Sequence, residues 1–158
     1  MSRRITSAVV LAVAVLAGGV ASADLSRSVI SAFSGQLVVT KDELPEGKTD
    51  KDTISKIKAV QLKELVGAEV SSGNTAWHFH YTAFLTKGGN SSLQLEFLRE
   101  GGALAANKRL EDVDPKRGVL SGDITIDEDE GLAKGKTYTV QLLAGTSTVV
   151  AKATLTMK

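Results

Sequence analysis

Short runs in which apolar and polar residues alternate begin at Phe33 and recur down the chain to Met157. In residues 33–40 the side chains of Phe33, Leu37 and Val39 share one face, the period of a half-buried strand. Residues 41–53 contain no aliphatic side chain except Leu44 and read as an exposed loop. Residues 54–66 break the pattern. Ile54, Ile57, Leu62 and Leu65 suit a helical stripe, whereas Val60, Leu62 and Val66 suit a strand; the spacing favours one short helix. Strict alternation then returns in residues 77–85, where Trp77, Phe79, Tyr81, Ala83 and Leu85 should face a core and His78, His80, Thr82 and Phe84 the outside. After Lys87-Gly88-Gly89-Asn90 the series Leu93, Leu95, Phe97 continues it, so the two runs read as a hairpin. Leu104 to Leu110 is a weaker strand and Leu120, Gly122, Ile124, Ile126 a clearer one, with the turn residues Pro115 and Gly118 between them. Tyr138, Val140, Leu142 and then Val149, Ala151, Ala153, Leu155, Met157 form a last pair around Ala144-Gly145-Thr146. About seven strands at this spacing predict a mainly β chain folded as an antiparallel β-sandwich.

The first residues follow a different logic. Arg3 and Arg4 precede a mostly apolar run from Ile5 to Val20, and Ala21-Ser22-Ala23 follows it. A charged start, an apolar middle and small residues at a cleavage point make a secretory signal peptide over 1–23, with cleavage after Ala23 and a periplasmic or secreted product. The run is shorter than the ~20 residues a membrane span requires, so no membrane insertion is expected after cleavage. Cleavage leaves 135 of the 158 residues, a single domain over 24–158, within which 24–70 is either part of the sandwich or an N-terminal extension. It also removes two of the 19 basic residues, leaving 17 against 18 acidic. A net charge near −1 gives no electrostatic reason to expect nucleic acid as a partner. The absence of cysteine places stability in the core alone and excludes thiol chemistry.

Leu132-Ala133-Lys134-Gly135-Lys136-Thr137-Tyr138-Thr139-Val140 resembles the penultimate strand of immunoglobulin-like and fibronectin type III-like domains. The resemblance implies that Tyr138 anchors a corner by bonding back to nearby backbone, and that Trp77 is the core tryptophan of an earlier strand. It implies architecture and no activity.

Candidate chemistry centres on residues 77–85, which hold both histidines and four of the seven aromatic residues. Trp77, Phe79 and Tyr81 are accounted for by packing. His78 and His80, two apart on a strand, project from one face and could share a zinc or copper ion. With no third histidine, further ligands would be carboxylates of the expected hairpin partner, Glu96 first and Glu100 second, plus water. The alternative is a pair of polar residues on an outer face, with no cofactor at all. Asp127, Asp129 and Glu130 end a strand where a calcium loop could form, although their spacing does not match the helical calcium loop. Gly47-Lys48-Thr49 and Gly135-Lys136-Thr137 lack the earlier glycine of a phosphate loop. Asn90-Ser91-Ser92 is a formal glycosylation sequon. No nucleophile elbow accompanies the histidines, so no enzyme activity is expected. The expectation is a binding or structural module whose partner is a protein or another envelope component, with a metal-binding protein as the alternative and a small envelope enzyme behind both.

Overall fold

The computed structural model describes residues 25–89 and 91–158, so the expected leader, Asp24 and Asn90 of the sequon lie outside the described residues. Among the described residues the chain is mainly β, with two sheets and two α-helices. The first helix, α1 (Arg27–Ala32), was not expected. Ser26 caps it by accepting from Val29 N at 3.3 Å. Next come β1 (Leu37–Thr40) and α2 (Asp50–Val60). The expected helix is therefore present but begins earlier and ends earlier than the apolar stripe suggested. Thr49 sets its start by accepting from Asp52 N at 3.2 Å, and Asp50 and Asp52 complement the dipole of the first turn. Beyond Val60 the chain turns extended, and Leu62 N donates to Val39 O at 2.7 Å.

Two short strands follow, β2 (Glu64–Leu65) and β3 (Ala68–Glu69), then β4 (Thr75–Phe84), β5 (Leu93–Leu98), β6 (Leu104–Leu110), β7 (Val119–Asp127), a 3-10 turn at Glu128–Glu130, β8 (Thr137–Ala144) and β9 (Thr148–Met157). One sheet is built on β4. β7 pairs with it antiparallel from Ala76 to Phe84, so β1 and β3 share its other edge. The other sheet has the order β2-β9-β8-β5-β6, antiparallel except for the parallel β2–β9 contact. The expected β4–β5 hairpin does not form. β4 pairs with β1, β3 and β7, while β5 pairs with β6 and β8, so the chain crosses between sheets where the tight turn was expected. Tertiary contacts divert it: Leu85 N donates to Gly118 O at 2.9 Å and Thr86 N to Val150 O at 3.0 Å.

The alternation that marked the strands is reproduced in one continuous core. Leu37, Val39, Trp77, Phe79, Tyr81, Ile124 and Ile126 from the first sheet meet Leu95, Phe97, Tyr138, Val140, Leu142 and Leu155 from the second. Trp77 is wholly buried, and its indole N–H donates to Lys158 O at 3.2 Å, so its one polar atom is satisfied. Tyr138 is buried too, and its hydroxyl accepts from Ala133 N at 2.9 Å, five residues upstream. Residues 25–60 are no loose extension. Val29 and Phe33 of the α1 segment and Ile57 of α2 pack with Val38 and Phe84 in a second cluster on the outer face of the β4 sheet. The rings of Phe33 and Phe84 lie 5.2 Å apart and tilted, a favourable aromatic contact.

One strand departs from its expected phase. Val149 is exposed and Val150 buried, because the β8–β9 register passes from Leu142 opposite Ala151 to Leu143 opposite Val149. Val150 is the extra residue of a β-bulge, which reverses the alternation at that point. Among the described residues no helix is long and apolar enough to cross a membrane.

Candidate functional site

The outer face of β4 carries His78, His80, Thr82 and Phe84, and the antiparallel register sets Thr125, Asp123, Ser121 and Val119 of β7 directly opposite. Cross-strand neighbours on one face sit close enough to bond. Three rungs result: His78 Nδ1 lies 2.8 Å from Thr125 Oγ1, His80 Nδ1 lies 3.1 Å from Asp123 Oδ1, and Thr82 Oγ1 lies 2.9 Å from Ser121 Oγ. The ladder passes from wet to dry along the strand. His78 is exposed, whereas His80 and Thr82 are buried, at 3% and 1% exposure. The expectation that both histidines face solvent therefore holds for His78 and fails for His80. On that face His80 stands beside the buried Thr40 of β1, and the second cluster packs over Val38 and Phe84, so a face that strand alternation marks as outer is partly covered by elements that lie before it in the chain.

A carboxylate oxygen accepts from a ring N–H, and in a neutral ring that donates from Nδ1 to Asp123 the lone pair is on Nε2. Asp123 remains 58% exposed and keeps its second oxygen for solvent or a ligand. On the opposite face of β4, Tyr81 is pushed up to about 12, first by burial and then by the negative charge of Asp123. Gly122 lies across from Tyr81, and a β-carbon there would stand 3.1 Å from the phenol oxygen; the glycine gives the ring its space.

Glu96 does not join the histidines. It lies on β5 in the other sheet, where its carboxylate accepts from Gln94 Nε2 at 3.2 Å and from Gln141 Nε2 at 3.0 Å. The three-ligand set of His78, His80 and Glu96 is thus divided between two sheets, because it rested on the hairpin that does not form. The calcium candidates are likewise turned inward on themselves. Asp127 Oδ1 accepts from Glu130 N at 3.2 Å and Glu130 Oε2 from Asp127 N at 3.1 Å, a capping box around the 3-10 turn that holds Asp129. Lys108 Nζ takes the other Glu130 oxygen at 3.3 Å. Among the described residues no three histidine or acidic side chains stand together as ligands of one ion.

A feature the alternation did not signal lies at the end of the other sheet. The turn after β5 and the start of β8 enclose an open groove of about 740 Å³, bordered by Arg99, Glu100, Lys136, Thr137 and Thr139. The clue was Gly101-Gly102, both with φ near +90°, which fold the β5–β6 turn back on itself and leave Arg99 and Glu100 at the rim. Among the described residues neither Arg99 nor Lys136 has an ion-pair partner. Neither histidine Nε2 is bonded to a described hydroxyl, so the arrangement of a serine triad is not assembled there. Compared with known protein families and with characterised proteins, the chain matches none.

Proposed function

We propose that this chain is an exported β-sandwich module of the immunoglobulin-like, fibronectin type III-like kind that acts by association and not by catalysis. The pairing order supports the architecture. Strands β1, β4 and β7 lie against β6, β5, β8 and β9, which makes seven strands of four residues or more, with β2 and β3 as short edge additions. The Tyr138 hydroxyl bonded to Ala133 N is the arrangement expected of a corner tyrosine.

The observation that carries the association reading is the groove bordered by Arg99 and Lys136, two cations against the single carboxylate of Glu100. Such a rim favours an acidic segment of a partner protein or envelope component, and charge complementarity of this kind sets specificity and encounter rate. Loops held at the end of a rigid sheet are a common place for such contacts.

Cross-linking in the envelope fraction tests it. The wild-type chain should trap a discrete partner that is lost in Arg99→Glu plus Lys136→Glu and retained in Lys41→Glu, which lies outside the groove. Equal capture by all three, or none by any, would remove the reading. Export is tested separately by fractionation and N-terminal sequencing. The expected product is extracytoplasmic and starts at Asp24; a cytoplasmic chain retaining residues 1–23 would refute export.

A further inference from the structure

We propose that His78 and His80 form a two-imidazole site for a borderline transition-metal ion, Cu(II) foremost and Zn(II) after it, bound through Nε2 of each ring. The argument starts from the strand. Positions two apart on β4 share a face and are separated by roughly 6.5–7 Å along the backbone. Each ring has its Nδ1 engaged by the residue straight across on β7, His78 by Thr125 at 2.8 Å and His80 by Asp123 at 3.1 Å. Metal-binding imidazoles are oriented in this manner: one nitrogen is held by a carboxylate or other polar neighbour and the other is turned to the ion with raised basicity.

Both Nε2 atoms lack a bonded partner among the described residues. The His80 side chain is 4% exposed and lies beside the exposed His78, from whose side an ion would approach it. His78 is exposed, so its Nε2 is open to an ion from solvent. Two imidazoles completed by water suit the tetragonal N/O preference of Cu(II), the most avidly bound of the divalent first-row ions. The field is mixed. Asp123 brings a negative charge to the site, while Lys108 Nζ, bonded to Thr125 O, brings one positive charge to the same edge.

This site replaces the set that included Glu96, and it lies on the opposite sheet from the Arg99 groove, so either proposal can fail without the other. The chain has only these two histidines and no cysteine, which makes the test clean. Untagged protein is titrated with CuSO4 and with ZnCl2 by calorimetry, and the copper complex is examined by electron paramagnetic resonance. The expected result is one ion per chain with micromolar affinity and a copper signal split by two nitrogens. His78→Ala, which removes an exposed side chain, should weaken binding at least about tenfold, and Asp123→Asn should weaken it about 10–100-fold by loosening the His80 ring. Long-range proton–nitrogen spectra with Zn(II) should move the Nε2 resonances of both rings. Binding that is unchanged in His78→Ala, as an amino-terminal amine would give, overturns the proposal. So does binding weaker than millimolar, or ligation through Nδ1.

Discussion

Replacing Tyr138 by Phe isolates one atom of the fold. The ring stays in the core and only the hydroxyl is lost, the acceptor for Ala133 N at 2.9 Å. A backbone donor stripped of its partner costs about 1–3 kcal/mol when it is sealed from water. Ala133 is half-buried, so water recovers part of that loss, and the expected destabilisation is about 1–2 kcal/mol. At roughly 3–4 °C per kcal/mol for a domain of this size, the midpoint should fall by about 3–8 °C. Thermal unfolding followed by far-ultraviolet circular dichroism measures the shift. Urea titration should show a lower midpoint with an unchanged slope, because the surface exposed on unfolding is the same. Two outcomes would refute the reasoning. A midpoint within about 1 °C of the wild type would mean that the hydroxyl holds nothing, and a loss above about 4 kcal/mol would resemble an emptied core site, which this substitution does not create.

Three further outcomes are expected. Gly131 has φ 111° and an added β-carbon would collide with Ala105 O, so Gly131→Ala should lower stability by more than about 1 kcal/mol in urea titration, and a neutral result would contradict the close approach. Tyr81, with its native pKa raised to about 12 from 10.0, should stay protonated at pH 11 in an absorbance titration; stability linked to it is whole below pH 10 and is lost as pH rises from there through about 12, because the unfolded chain ionises first. Ile57→Ala, which empties a wholly buried position of the second cluster, should cost about 2–5 kcal/mol and raise amide exchange in α2 and at Val38 and Phe84, whereas exchange confined to the helix would show that the cluster does not tie α2 to the β4 sheet.

How much of this was legible depends on which physical signal each residue sends. A side chain that faces a core in a strand leaves a period of two, and β4 to β9 were readable for that reason. Period reveals a face but says nothing of which edge finds which neighbour. Thus the period puts Leu93, Leu95 and Phe97 on the correct face without revealing that β5 pairs with β6 and β8, and Glu96 lies with them, away from the histidines. The burial of His80 is not legible because β1 and the second cluster, which cover part of that face, lie in residues 25–60, outside the window in which alternation is read. The six residues of α1 are too few for a helical stripe, and the start of α2 was written in its cap, Thr49 with Asp52, more plainly than in its apolar residues. The Val150 bulge inverted a phase that the sequence alone presents as unbroken.

β9 is gripped on both edges, by β8 along one and by Gln36 and β2 along the other. Gln36 therefore waits for Lys152, and Leu65 for Met157, partners 116 and 92 positions away. Contacts of such separation form late, since a long loop must close before any reward is collected. A chain delivered to solvent end first cannot seal its main core until residues 148–157 have emerged. The order of the strands therefore makes the last segment of the chain the one that completes the fold.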